Sequence, residues 1–96
     1  MKIYLPHIHY TIYVKEFKKA PDGTNFKAYA VKGEDGNSCT IYLPKKPQPG
    51  TVAHELTHAL RYICVDRNMD FRSEEEHMAY IMNYAINRIL GYSYLD

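Results

Sequence analysis

Two histidines four residues apart, with a glutamate directly after the first, are the residues of this chain best suited to chemistry: His54-Glu55-Leu56-Thr57-His58. On an α-helix a spacing of four brings the second side chain back to within about 40° of the first, one turn along, so both imidazoles can grip one metal ion. The glutamate then lies where it can take a proton from a water on that metal. The pattern implies Zn2+, with His54 and His58 as ligands and Glu55 as the general base. At this chain's residue frequencies a shuffled sequence would show the pattern about 0.02 times, which makes chance a poor explanation. A surface helix carrying the same residues without function would leave both imidazoles in water, whereas a metal site would have them face a cleft.

A hydrolytic zinc site takes three protein ligands and keeps a fourth position for water. In metzincins a histidine six residues after the second one completes the set, following a glycine that ends the helix. Here those places hold Cys64 and Arg61, and Cys64 on a continuing helix would lie about 9 Å further along, out of reach. In gluzincins the third ligand is a glutamate on the next helix, roughly fifteen to twenty residues on, and here that window holds Glu74, Glu75 and Glu76. Glu76 is preferred, because Ala79 three residues later is small enough to let the two helices approach; Glu75 is second. Ser73 and Glu76 also have the spacing of a capping box, and three glutamates in a first turn suit the helix dipole.

The elements that must position these residues are readable from periodicity. Ile8, Tyr10, Ile12 and Val14 alternate with His7, His9, Thr11, Tyr13 and Lys15, which predicts a half-buried strand from His7 to Phe17 with both histidines on its polar face. Ala20-Pro21-Asp22-Gly23-Thr24 has turn chemistry, and a second strand follows from Phe26 to Lys32. Gly33 to Asn37 reads as a hairpin loop before a third strand, Cys39 to Leu43. Pro44, Pro47 and Pro49 cannot pair in a sheet and form a connector. Thr51 is the expected N-cap of a helix running to about Asp66 or Arg67, with Val52, Ala53, Leu56, Ala59, Leu60 and Ile63 as its apolar stripe. Ser73 is expected to open a second helix whose inner face is Ala79, Met82, Ile86 and Ile89, with Gly91 as its stop and a short tail from Tyr92 to Asp96. The expected fold is α+β: one domain over residues 1–96, an antiparallel sheet of about three strands followed by two helices.

Composition narrows the partners. A hydrophobic content of 46% supports a core, and a net charge of +1 without a basic stretch leaves no footprint for nucleic acid. The first residues lack a continuous apolar segment and no run approaches membrane-spanning length, so the expected location is cytoplasmic. Cys39 and Cys64 are expected to be reduced, small and buried. A peptide deformylase pairs this histidine motif with an upstream cysteine, for which Cys39 would serve, but the chain is too short for that enzyme and lacks its glycine-rich segment.

From His54 to about Leu90 the chain resembles the very small gluzincin-type zinc metallopeptidases, including short phage and prophage proteins in which HExxH is followed by ExxAY. The matching residues are His54-Glu55-Leu56-Thr57-His58 and Glu76-His77-Met78-Ala79-Tyr80. The resemblance implies a minimal zincin-like core and a peptide or protein substrate, added as a strand to a sheet edge. It implies Zn2+ held by His54, His58 and Glu76, with Glu55 as base. Where thermolysin-like members place an aspartate that orients a zinc-bound histidine, this chain has Tyr80. Tyr80, His77 and Tyr84 are the candidate donors to a developing oxyanion, and the tail from Tyr92 to Asp96 would be placed to fold over the zinc.

Overall fold

The computed structural model describes residues 1–16 and 28–95, with side chains through Gly91. Four strands, β1 (Lys2–Leu5), β2 (Tyr10–Glu16), β3 (Tyr29–Lys32) and β4 (Ser38–Leu43), precede two helices, α1 (Pro49–Asp66) and α2 (Glu75–Leu95). The α+β layout agrees with the sequence reading, but the sheet has one strand more than expected and is mixed. Its order is β1-β2-β4-β3, with β2 and β4 parallel and the two outer pairs antiparallel. Alternation tells which side of a strand is buried and says nothing of its neighbours, so the insertion of β4 between β2 and β3 left no mark on the pattern.

β1 went unread because a four-residue edge strand offers only two inward positions, Ile3 and Leu5, both buried. The predicted strand from His7 to Phe17 is shorter at its start. Pro6 to His9 form the turn between β1 and β2, in which the Ile8 amide donates to the Leu5 carbonyl at 3.2 Å and His9 takes a positive φ of 50°. His7 and His9 therefore lie on a turn and not side by side on a strand face. The expected turn at Ala20–Thr24, and Phe26 and Lys27 of the expected second strand, fall outside the described residues.

The hairpin between β3 and β4 follows its sequence. Gly36 has φ 72°, and a Cβ on Gly33 would come within 2.7 Å of the Ser38 carbonyl oxygen, to which the Gly33 amide donates. Asp35 accepts the Asn37 amide at 2.9 Å and the Ser38 hydroxyl at 3.1 Å, and these bonds hold its carboxyl below the usual range.

Both helices lie against the face of the sheet that carries Ile3, Leu5, Tyr10, Ile12, Cys39, Ile41 and Leu43. α1 packs on β4, β3 and α2, and buries Val52, Leu56, Ala59, Leu60 and Ile63 as expected, with Cys64 added. It starts earlier than expected. Pro49 occupies its first turn, where a missing amide hydrogen costs nothing, and Gln48 rather than Thr51 is the N-cap. α2 starts later, because the Ser73 hydroxyl donates to the Asp70 carbonyl at 3.2 Å instead of capping the helix. Its buried residues are Met78, Ile81, Ala85 and Ile89; Met82 and Ile86 flank that face and Ala79 is exposed. The helix also runs through Gly91 to Leu95, since an interior glycine costs only about 1 kcal/mol against alanine. The expected tail is thus a continuation of α2.

Arg67 fastens the end of α1 to the sheet. Its guanidinium donates to the carbonyls of Ile8, His9 and Gly36 at 2.9, 2.9 and 2.8 Å, and to Asn37 Oδ1 at 2.8 Å. Beside it Asp66 accepts the Tyr10 hydroxyl at 2.8 Å and pairs with Lys32, also at 2.8 Å. Two turns from distant parts of the chain are thereby tied to one helix terminus. No helix among the described residues is long and apolar enough to cross a membrane.

Candidate metal centre

The residues of the HExxH pattern do converge. His54, Glu55 and His58 each offer a ligand atom, and these atoms lie within 4.8 Å of one another. The two imidazoles stand one turn apart on α1, ring centroids 5.1 Å apart and planes inclined at 71°. Around the helix Glu55 is about 60° from His58 and about 100° from His54. That offset separates their environments: the histidines are exposed, while the Glu55 side chain is 6% exposed.

The Glu55 and Asp66 carboxylates are both buried, at 6% and 4% side-chain exposure, but Asp66 is paired with Lys32 and Tyr10. Glu55 stands in the same row of α1 as Val52 and Ala59, at the margin of the apolar stripe, so the packing that seats Leu56 also draws its carboxylate inward. Its Oε1 lies 3.8 Å from His54 Nε2, too far for a hydrogen bond, and its Oε2 has no hydrogen-bond partner among the described residues. A buried carboxylate oxygen without a donor is costly, so its presence calls for a ligand or a chemical task. The neighbouring residues supply the context: an open cleft of about 360 Å³ is lined by His54, Glu55, His58 and Tyr62 from α1 and by Ala28, Tyr29 and Ala30 at β3. Among the described residues β3 is an edge of the sheet.

Exposed imidazoles alone would equally suit a surface helix with no function. The bare oxygen of Glu55 beside them would not. Two imidazoles and a carboxylate are a donor set that zinc accepts, and the described side chains fit a metal there.

The glutamates at the start of α2 do not join this group. Met78, near the start of α2, meets α1 with its sulfur 3.8 Å from Cys64 Sγ. Cys64 is six residues beyond His58, about 9 Å along the axis, so the first turn of α2 adjoins the far end of α1. Glu75 and Glu76 are exposed there, Glu74 is half-buried, and the exposed Ala79 does not serve the close helix approach assumed for it. Tyr80 is 72% exposed and lies with His77 and Tyr84 in a separate groove against Tyr4 to His7 at β1. The three residues considered as oxyanion donors are therefore grouped at the opposite edge of the sheet.

Tyr62, which sequence reading passed over, is at the cleft. Its hydroxyl donates to the Ala30 carbonyl at 3.3 Å, linking α1 to β3 next to the histidines. The signal for it was present, since Tyr62 follows His58 by four residues and so shares its face. Among the remaining titratable groups, burial pushes the Cys39 thiol up to about 12, and burial followed by the bond to Asp66 raises the Tyr10 hydroxyl. Both cysteines are free and buried, as expected. No protein-family model, no curated protein and no solved structure matches this chain.

Proposed function

We propose that this protein is a zinc-dependent hydrolase of peptide bonds, acting on an extended segment of peptide or protein laid along β3. The observation that carries the reading is the buried Glu55 carboxylate with an unpartnered oxygen, one residue from the first of two imidazoles that share its cleft. His54 and His58 would hold the ion. When bound, zinc supplies Lewis-acid polarisation of a carbonyl and a lowered pKa for water. Glu55 takes a proton from the attacking water and returns it to the leaving amine, a task suited to a carboxylate sheltered from bulk solvent. Tyr62, released from Ala30, offers a hydroxyl within the cleft for a developing oxyanion, and the edge of β3 offers backbone groups to an added strand.

The test is cleavage of unfolded protein substrates by wild type, Glu55→Gln and Tyr62→Phe in the presence of zinc. Loss of general-base catalysis should cost Glu55→Gln roughly 100-fold or more in kcat. The position of Glu76 favours a second reading, in which the same site binds metal and peptide without cutting, because no second carboxylate joins His54, Glu55 and His58 among the described residues. Equal, negligible cleavage by wild type and Glu55→Gln would select it and reject the hydrolase.

A further inference from the structure

The sheet edge opposite β3 holds a second pair of histidines that the first site does not use. His7, on the turn after β1, and His77, in the first turns of α2, are separated by 70 residues in sequence and point Nε2 at Nε2, 2.5 Å apart. Their ring centroids are 4.6 Å apart and their planes are inclined at 49°. Two imidazole nitrogens at that separation are a poor neutral pair: one must donate, the distance is shorter than an ordinary N–H hydrogen bond, and protonating both would set two cations in contact. The opposite side of His77 is also occupied. Glu74 Oε2 lies 3.7 Å from its Nδ1, beyond hydrogen-bond reach but on the side of the ring away from His7. Metal-bound histidines are commonly oriented by a carboxylate at the second ring nitrogen, and the half-exposed Glu74 side chain stands on that side of His77.

From this juxtaposition we infer a second metal site, in which His7 and His77 bind a divalent transition ion of the zinc, nickel or copper class and water completes its coordination. Imidazole nitrogen suits these metals. Tetrahedral zinc holds its ligand nitrogens about 3.3 Å apart, so the pair would open by roughly 0.8 Å, a change open to His7 because it lies exposed on a turn. The ion would join the β1–β2 turn to α2 and so would act as a staple between segments 70 residues apart in sequence. Tyr4, Pro6, Tyr80 and Tyr84 line the groove around it, giving the ion an aromatic rim. The other members of the turn are committed elsewhere: His9 Nδ1 is bonded to the Tyr4 hydroxyl at 3.0 Å, and the carbonyls of Ile8 and His9 are held by Arg67.

The inference stands apart from the HExxH site and is tested in its absence. Zinc and nickel are titrated calorimetrically into full-length His58→Ala protein, then into the same protein carrying His77→Gln or His7→Gln. One ion per chain should bind to His58→Ala, either glutamine substitution should weaken binding at least tenfold, and zinc should raise the Tm of the first protein by several degrees but not that of the others. His7→Gln changes an exposed turn residue and so serves as a control for any folding defect of His77→Gln. If His58→Ala binds no ion, or binds one with the same affinity after both glutamine substitutions, the pair is only a hydrogen-bonded contact and the inference is wrong. In wild type, loss of one ion on His77→Gln with cleavage unaffected would separate this site from the first.

Discussion

If Glu55 is retained for chemistry, removing it should make the metal-free fold more stable. The side chain is 6% exposed, Oε2 is bare and the nearest cationic candidate is 3.8 Å from Oε1. A buried polar group left without a partner costs about 1–3 kcal/mol, and more when charged. Glu55→Leu removes that penalty and adds apolar area beside Val52, Leu56 and Ala59, with about 1 kcal/mol of the gain lost to the change of side-chain shape. The net expectation in EDTA is a rise of about 1–3 kcal/mol in unfolding free energy, or at least about 4 °C in Tm for a domain of this size. The chain has ten tyrosines and no tryptophan, so tyrosine fluorescence and far-ultraviolet circular dichroism in urea give two independent transitions. An unchanged m-value is required for the comparison to report stability. Zinc at 100 times its Kd should then stabilise wild type by about 2.7 kcal/mol and narrow the gap. A metal-free Glu55→Leu protein that is less stable than wild type would refute the reasoning, because it would mean the carboxylate is satisfied where it lies.

Arg67→Ala should destabilise the protein by about 2–4 kcal/mol in the same urea assay, since it strips three backbone carbonyls and Asn37 of a charged donor. Arg67→Lys should recover little of this, because one ammonium cannot reach both turns; full recovery would show that charge and not the planar fork matters. At alkaline pH the raised Cys39 thiol sets a sign. The folded thiol keeps its proton up to about 12 while the unfolded one ionises near 9, so the unfolded state binds fewer protons across that window and stability falls as pH rises. Tyr10 adds to the fall above its ordinary value of 10. Cys39→Ala should therefore flatten the loss between pH 9 and 10, and an unchanged slope would count against the burial of the thiol.

The parts of this protein legible in its sequence are those set by one element's own periodicity. The stripe of α1, the face of β2 and the residues of the β3–β4 hairpin each follow from spacing within a continuous segment, and so does the convergence of His54, Glu55 and His58. What failed to be legible depends on how segments meet. The parallel pairing of β2 with β4 is one case. The α2 face is another: Ala79, Met82 and Ile86 are as periodic as Met78, Ile81 and Ala85, and only contact with Cys64 decides between two stripes about 100° apart.

The same limit explains the third ligand. Glu76 follows His58 at a plausible distance in sequence, but its distance in space is set by where α2 begins against α1. That is fixed by the Ser73 bond to Asp70, the arrival of Met78 at Cys64, and the hold of Arg67 on the end of α1. All three place the start of α2 beside the last turns of α1 and direct His77 toward His7. A helix start that was expected to complete one metal site thus supplies half of a different histidine pair. The first site is left with two imidazoles and a buried carboxylate facing an open sheet edge, and Glu55 must then be both the reason to expect hydrolysis and the residue whose replacement tests it.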